Sequence, residues 1–379
     1  MTERGVTEGG VTERGTDAAG ATYAAAGVDV EAGERAVELM RASIARAQRP
    51  EVVGAVGGFA GLFDATALTR YRRPLLATST DGVGTKIDVA RKMDVHDTIG
   101  IDLVAMVVDD LVVCGAEPLF MTDYIAVGSV VPERVAAIVT GIAEGCRRAG
   151  VALLGGETAE HPGLLAPDEY DVAGAGTGVV EADSLLGPDL VRDGDVLVAM
   201  ASSGLHSNGY SLARHVLFDR AGWALDRHVP ELGRTLGEEL LEPTRIYTLD
   251  LLDLIAAGGV HAISHITGGG IAANVARVLP TGMHGEIARA TWTPAPIFGL
   301  IGELGGVSLG ERERTFNEGL GMVAVMAPES VADGVRRLAS RGVHAWVCGH
   351  VRASGPGDSS DAPAKGGTGG TVTLVGEHA

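Results

Sequence analysis

Residues 75–118 combine a short apolar strand, a glycine-containing turn and a long apolar helix that carries aspartates. Residues 75–80 are apolar and β-branched, which predicts a strand. The turn that follows contains Asp81, Gly82, Gly84, Thr85 and Lys86. Glycines let backbone N–H groups approach an anion, and a lysine can meet a phosphate as a point charge. The turn therefore predicts a phosphate site, and an exposed Asp-Gly hairpin is the plainer alternative.

The position of Asp81 adds a second requirement to this turn. A carboxylate repels phosphate unless a metal ion lies between them. Mg²⁺ is commonly bound through one or two carboxylates together with substrate phosphates. Asp81 therefore indicates a site for Mg²⁺ and a nucleotide.

The segment 99–114 is long and apolar, and Gly115 ends it as a helix. It contains Asp102, Asp109 and Asp110. An ionised carboxylate in an apolar helix is costly unless it is paired, metal-bound or beside a wet cleft. A helix with one solvated face is the plainer alternative and could hold Asp102, whereas the adjacent Asp109 and Asp110 fit that alternative less well and indicate a cleft or a metal site.

Further turns that follow predicted strands combine glycine with polar side chains. Gly155, Gly156 and Glu157 follow the strand 151–154, where an acidic residue suits a metal ligand or a substrate contact, and a plain turn is the alternative. Two other turns precede helices, whose first N–H groups bind anions. The candidate residues of those two turns are His206, Ser207, Asn208, Thr267, Gly268 and Gly269.

The net charge of −19 argues against a nucleic-acid-binding surface or an acidic-membrane-binding surface. No uninterrupted apolar run reaches the ~18 residues of a membrane span, and we find no secretory leader. The cysteines, Cys114, Cys146 and Cys348, are too widely spaced for a disulfide framework or a zinc site. We therefore expect a cytoplasmic protein that binds neither nucleic acid nor membrane.

A chain of 379 residues predicts about two domains, and a polar connection near 182–194 separates them. Strand–glycine–helix units recur in both halves, which predicts a mixed α/β (α+β) fold. Composition divides the chain into a disordered tail at 1–22, an N-terminal domain at 23–185, a C-terminal domain at 186–352, a low-complexity insert at 353–370 and a C-terminal segment at 371–379. We assign no role to the insert and expect 371–376 to form an edge strand.

The sequence DLVVCGAEP at 110–118 resembles the signature D-x-x-x-x-G-A-x-P of the aminoimidazole ribonucleotide synthetases, also called phosphoribosylformylglycinamidine cyclo-ligases. GGETAE at 155–160 and SSGLHSNGYS at 202–211 resemble further segments of that family. The resemblance covers nearly all of 23–352. It implies a two-domain fold in which the N-terminal ATP-binding domain forms a β-barrel with that of a partner in a homodimer. The C-terminal α/β domain forms the wall of the cleft.

The resemblance also implies a reaction. ATP, with Mg²⁺, drives ring closure of formylglycinamidine ribonucleotide to 5-aminoimidazole ribonucleotide in de novo purine biosynthesis, through phosphorylation of the amide oxygen. Asp81, Asp110 and Glu157 are the implied metal ligands, and Asp109 is a further candidate at a position where many relatives carry Asn. Lys86 and the glycine backbone would hold the phosphates. His206 would contact the substrate or move a proton.

Alternatives from other classes remain open at this point. Another ATP-using enzyme of the same superfamily, such as a thiamine-phosphate kinase or a selenophosphate synthetase, is one. A selenophosphate synthetase is expected to have a reactive cysteine near its N-terminus, and no cysteine precedes Cys114. A nucleotide-binding regulator without catalytic activity is the other, although such a protein has no need of several metal-binding carboxylates.

Overall fold

A computed structural model of the chain describes residues 30–54 and 58–379. The predicted tail at 1–22 lies outside this part of the chain. The elements of the N-terminal part are α1 (Val30–Arg46), β1 (Val52–Val53), β2 (Leu62–Phe63), β3 (Pro74–Gly82), α2 (Lys86–Met93), α3 (Asp97–Val112), β4 (Glu117–Val127), α4 (Pro132–Ala149), β5 (Ala152–Glu160) and β6 (Tyr170–Glu181).

The C-terminal part begins with β7 after a connection that contains two short 3₁₀ turns. Its elements are β7 (Val196–Ala201), α5 (Tyr210–Arg214), β8 (His228–Val229), β9 (Arg234–Thr235), α6 (Leu236–Leu240), α7 (Thr248–Ala257), β10 (Val260–His265), α8 (Gly270–Val278), β11 (Met283–Ala288), α9 (Pro296–Gly305), α10 (Leu309–Thr315), β12 (Leu320–Met326), α11 (Val331–Ser340), β13 (Ala345–Ala353) and β14 (Thr371–Val375). None of the helices in the described residues is long and apolar enough to cross a membrane.

The N-terminal sheet has the strand order β3-β6-β4-β5, in which β4 and β5 are parallel and the other neighbours are antiparallel. Helices α3 and α4 pack together on one face of this sheet. Helix α3 lies close to β6 because Gly174 and Gly176 have no side chains on that face. A Cβ at Gly176 would lie 2.9 Å from Cγ1 of Val107. The glycine-rich sequence of β6 thus allows close packing of the helix.

The C-terminal sheet has the order β10-β12-β7-β13-β11-β14, and its strands pair antiparallel except for β11 with β14. One apolar core, which includes residues of α8, lies against one face, and a second, which includes residues of α7 and α11, lies against the other. The expected edge strand near residue 371 is present as β14. The predicted alternation of strands and helices is therefore found, but most neighbouring strands are antiparallel.

Helix α3 belongs to the interior of both domains. Nearly all of its side chains are buried, and Val112 at its end joins the core formed by β7, β12 and α7. A helix that is apolar all round must be buried all round. Its carboxylates therefore need protein partners rather than solvent.

Asp102 and Asp109 find those partners in the C-terminal domain. Oδ1 of Asp102 accepts hydrogen bonds from N and Oγ1 of Thr244, at 2.7 and 2.6 Å. Asp109 accepts from the backbone N of Tyr247 and from Oγ1 of Thr248, where α7 begins. A carboxylate is favourable at a helix N-terminus. The alternative of a solvated face for Asp102 is therefore wrong, and both carboxylates join the domains.

Candidate active site between the two domains

A cavity of about 330 Å³ lies between the C-terminal end of α3 and the C-terminal sheet. It brings together residues that are far apart in the sequence, and both domains contribute to its wall. The polar and ionisable side chains that line it are Asp81, Asp110, Cys114, Ser264, His265, Thr267, Asn274, Arg277 and Lys365. Two carboxylates and two cationic side chains therefore share one small cleft.

Asp81, at the end of β3, and Asp110, near the end of α3, line this same cavity. Burial, and the nearby charge of Asp110, raise the pKa of Asp81, although the backbone N–H of Gly82 opposes this. Burial also disfavours an ionised Asp110, but the hydrogen bond from His265 and neighbouring cations outweigh it and lower the pKa of Asp110. The pair thus combines a readily ionised carboxylate with one whose charge is unfavourable.

A divalent cation would relieve that unfavourable charge. Within the described part of the chain, no three His, Cys, Asp or Glu side chains are grouped so as to hold a metal ion by themselves. Mg²⁺ usually takes only one or two carboxylates from the protein and fills its other positions with water and substrate phosphates. Asp81 and Asp110 fit that requirement, whereas a closed protein cage is not present in the described residues.

His265, at the end of β10, orients Asp110. Its Nδ1 lies 2.8 Å from Oδ1 of Asp110, so the ring donates through Nδ1 to the ionised carboxylate. Its other nitrogen, Nε2, is buried and has no hydrogen-bond partner in the described residues. A buried polar atom without a partner is costly, which suggests that a ligand group or water completes this site.

The turn of Thr267, Gly268 and Gly269 leads into α8 at the edge of the same cavity. Nδ2 of the buried Asn274 donates to the backbone oxygens of Thr267 and Gly270, which fixes the turn. Oδ1 of Asn208 accepts from the backbone N of Gly268 at 3.0 Å. The structure therefore brings two of the predicted turns together. The N–H of Gly270, the first residue of α8, donates to the oxygen of Thr267, so this turn places the positive N-terminal end of α8 at the edge of the cavity.

Lys86 does not reach the cavity. Its side chain is fully buried, with Nζ 2.9 Å from Asp102 and close to the backbone oxygens of His206 and Glu242. All three donors of the ammonium group are thus used within the protein. This corrects the prediction that Lys86 holds phosphates: it joins the two domains beneath the site. Thr85 lies at the same junction, where its Oγ1 is 3.2 Å from Oγ of Ser211.

His206 is also turned inward, with a backbone φ of 61° in the left-handed region. Its Nε2 accepts a hydrogen bond from the backbone N of Ser203 at 3.1 Å. Burial, and then nearby cations, lower the pKa of His206 well below its usual value, so the ring is neutral. The contact with Ser203 accounts for Nε2 alone: Nδ1 is buried and has no hydrogen-bond partner among the described residues, and the catalytic role of His206 stays a prediction. Ser207 likewise pairs internally, with Thr244.

Glu157 does not join Asp81 and Asp110. In the strand register, Glu157 of β5 lies opposite Tyr124 of β4. Tyr124 lies opposite Ala173 of β6, and Ala173 lies opposite Gly82 of β3. Three strand spacings of about 4.8 Å place Glu157 roughly 14 Å from the end of β3. Because neighbouring residues of a strand alternate, Asp81 points to the opposite face of the sheet. The predicted three-carboxylate metal site is therefore not formed within one chain.

Gly155 and Gly156 line a separate and larger groove, of about 800 Å³, beside α1 and β5. Asp123 lies in this groove, where burial raises its pKa to about 7. Gly156 leaves room for it, since a Cβ there would lie 2.0 Å from Oδ1 of Asp123. Gly156 therefore accommodates a carboxylate of the neighbouring strand, and both glycines lie away from the cavity between the domains.

Sequence reasoning missed three residues of the cavity. His265 directly precedes Ile266 and the Thr267 turn, so its position at a strand end was an available signal. Arg277 is one of several arginines on helices and has no distinguishing pattern. Lys365 lies in the low-complexity insert, where composition argued against any role.

The chain matches both halves of one protein family. The profile of the AIR synthase related protein, N-terminal domain, matches residues 64–180, and that of the C-terminal domain matches residues 192–360. With the two-domain fold and the carboxylate-lined cleft, these matches define the chain as an AIR synthase related protein.

Individual relatives identify the family within this class of proteins. A protein of an Anaeromyxobacter species is 52% identical over 340 residues, which cover 89% of this chain and 98% of the relative. A protein of Geobacillus kaustophilus is 50% identical over 337 residues, covering 89% and 97%. Both are named phosphoribosylformylglycinamidine cyclo-ligase, and the chain belongs to that family of ligases.

Solved structures of lower sequence identity share the fold. Thiamine-monophosphate kinase from Stenotrophomonas maltophilia superposes with a TM-score of 0.61 at 18% identity, and the match covers 91% of this chain and 97% of the kinase. The E. coli hydrogenase maturation protein HypE superposes with a TM-score of 0.60 at 20% identity, covering 91% and 93%. These likenesses concern the two-domain architecture alone.

Proposed function

We propose that this chain uses ATP to close the imidazole ring of 5-aminoimidazole ribonucleotide from formylglycinamidine ribonucleotide, releasing ADP and phosphate. The observation that carries the proposal is the pairing of Asp81 with Asp110 in one cleft between the domains, beside the glycine turn that starts α8. Membership of the cyclo-ligase family supports the choice of substrate.

The chemistry explains why such a cleft is useful. Ring closure expels the oxygen of an amide, which is a poor leaving group. Transfer of the γ-phosphoryl group of ATP to that oxygen lets phosphate leave when the amidine nitrogen attacks the carbon. Catalysis of such a transfer depends on positioning and on neutralising phosphate charge.

The residues of the cavity divide these tasks. Asp81 and Asp110 would hold Mg²⁺, which supplies positive charge next to the phosphates. His265 keeps Asp110 oriented through the 2.8 Å hydrogen bond. The N–H groups of Gly268 and Gly270 are already bonded within the protein, so the Thr267 turn would contribute through the positive N-terminal end of α8. Lys86 and Asp102 have no chemical role in this proposal and hold the domains together.

We further propose that two copies form a homodimer through the N-terminal sheet. Helices α3 and α4 cover one face of that sheet, while its other face exposes Leu76 and Tyr124, of which 66% and 42% are accessible. Alternating side chains of β3 point toward this open face. Large apolar side chains on an exposed sheet favour association.

We place the enzyme in the cytoplasm, where its three free cysteines would stay reduced.

The proposal is tested with Asp81→Asn and Asp110→Asn. Each substitution keeps the size of the side chain and removes a negative charge that would bind Mg²⁺. We expect turnover of formylglycinamidine ribonucleotide to fall by at least about 100-fold, because one electrostatic contact at a transition state is worth that much. ADP release is measured with and without the amidine substrate.

Asp97→Asn, at the exposed start of α3, is the matched control and should keep full activity. All three variants should melt in one cooperative transition. Full activity of both site variants would place the metal elsewhere. Nucleotide binding by the wild type without any substrate-dependent ADP release would favour a regulator, and ADP release with thiamine phosphate instead would favour a kinase.

A further inference from the structure

Lys365, from the insert at 353–370, reaches the cavity between the domains. Its Nζ lies 3.0 Å from Oγ1 of Thr267, the first residue of the turn that leads into α8. It lines the same cavity as Asp81 and Asp110. One hydrogen bond to Thr267 leaves two ammonium donors for another acceptor.

The insert is held in place by its backbone. The backbone N of Lys365 donates to the oxygen of Ala273, and that of Gly370 donates to Ala276 and Leu279. Gly369 passes so close to α8 that a Cβ would lie 2.2 Å from the oxygen of Ala276. These contacts run along α8 and do not use the Lys365 side chain, which is therefore carried to the turn by a fixed segment.

The charged side chains of the cavity indicate what kind of ligand Lys365 binds. A phosphate that enters a cleft with two carboxylates needs compensating positive charge. The sequence contains three lysines. Lys86 forms a buried ion pair with Asp102, and Lys92 forms an ion pair with Asp88 at the surface. Lys365 is the lysine that lines the cavity. Nε2 of His265, which has no hydrogen-bond partner among the described residues, is a buried polar atom of a residue that lines the same cavity.

We propose that Lys365 is a phosphate-binding residue of this enzyme and that it acts beside the positive N-terminal end of α8. This inference rests on the proposed function for the identity of its ligands, each of which carries phosphate. The shared chemistry is a phosphate group, and its source is either ATP or the ribonucleotide substrate. The low-complexity insert is thereby a part of the active site.

The test is isothermal titration calorimetry of Lys365→Met and Lys365→Arg. The first substitution removes the charge and keeps most of the length, and the second keeps the charge. One arm titrates a non-hydrolysable ATP analogue with Mg²⁺, and the other titrates formylglycinamidine ribonucleotide. Lys92→Met is the matched control, since it removes a surface lysine far from the insert. Thermal melting first establishes that each variant is folded.

We expect Lys365→Met to lower the affinity for one of the two ligands by about 10- to 100-fold, which is the usual contribution of a hydrogen bond to a charged group. Lys365→Arg should recover most of that affinity, and Lys92→Met should match the wild type. The arm that responds identifies the source of the phosphate. Equal affinity of Lys365→Met and the wild type for both ligands overturns the proposal, as does a loss that Lys365→Arg leaves unrepaired.

Neither titration requires turnover, so the two proposals can fail separately. A wild-type protein that binds both ligands and does not release ADP refutes the ring-closing function alone. A wild-type protein that turns over normally, with Lys365→Met indistinguishable from it, refutes the role of Lys365 alone. A wild-type protein that binds neither ligand refutes both.

Discussion

Replacement of Lys86 by methionine separates the two roles that have been considered for this residue. The sequence motif predicts a phosphate contact, whereas the structure buries the ammonium group against Asp102. A phosphate-binding lysine would affect the affinity for ATP and leave the fold unchanged. A buried lysine that joins two domains would affect the fold.

The expected magnitude follows from the contacts of the ammonium group. Nζ of Lys86 lies 2.9 Å from Asp102, and both side chains are fully inaccessible to solvent. Lys86→Met removes one partner and leaves the carboxylate of Asp102 buried, with Thr244 as its remaining donor among the described residues. Loss of one member of a buried pair costs about 3–5 kcal/mol, because the remaining charge cannot be hydrated. We expect the free energy of unfolding to fall by that amount.

Urea unfolding, followed by circular dichroism, measures this change. Lys92→Met is the control on the same helix, where the lysine is half exposed and pairs with Asp88 at the surface. Exposed ion pairs contribute at most about 1 kcal/mol, so the control should unfold almost like the wild type. The double variant Lys86→Met with Asp102→Asn removes both charges and should recover part of the lost stability.

The result that refutes this reasoning is specific. If Lys86→Met unfolds at the urea concentration of the wild type while its KM for ATP rises tenfold or more, Lys86 is a phosphate ligand. The burial of Lys86 would then belong to a ligand-free arrangement only.

Two further predictions concern pH and association. Burial raises the pKa of Asp109 from 3.8 to about 6, so between these pH values the folded protein binds a proton more tightly than the unfolded chain. The contribution of this group to the free energy of unfolding is therefore present at low pH and is lost as the pH rises from 3.8 to about 6. At about 1.4 kcal/mol per pH unit, the loss amounts to about 3 kcal/mol. Asp109→Asn should make the melting temperature less dependent on pH between about pH 4 and about pH 7, and should raise the melting temperature at the upper end of that range. An unchanged slope of melting temperature against pH would contradict this. Leu76→Asp, on the open sheet face, should convert a dimer into a monomer in light scattering, while Leu164→Asp in an exposed loop should not. A dimer that survives Leu76→Asp would place the interface elsewhere.

Local signals in the sequence predicted the main elements well. The helix at Asp97–Val112 and the strand at Pro74–Gly82 each have a clear apolar pattern and a recognisable start or end. The strand that carries Asp81 and the helix that carries Asp110 pack together, and both residues line one cavity, as their common assignment to a metal site requires.

The partners of individual side chains could not be predicted in the same way. Lys86 is covered by the other domain, whereas Lys365, in an insert to which no role was assigned, lines the cavity, because tertiary packing decides which lysine is buried. Glu157 was grouped with Asp81 by residue type, but strand order and the alternation of faces keep them apart. Such relations depend on contacts between distant segments, which no local pattern contains.

The shared helix α3 has a consequence for attempts to divide this protein. A fragment that ends in the connection before β7 would expose Val112 to water and leave the carboxylates of Asp102 and Asp109 without their donors. The complementary fragment would lose the group that caps α7. Neither piece is a self-sufficient folding unit, and the slowest-exchanging amide protons of the intact protein should form one set that spans both sheets.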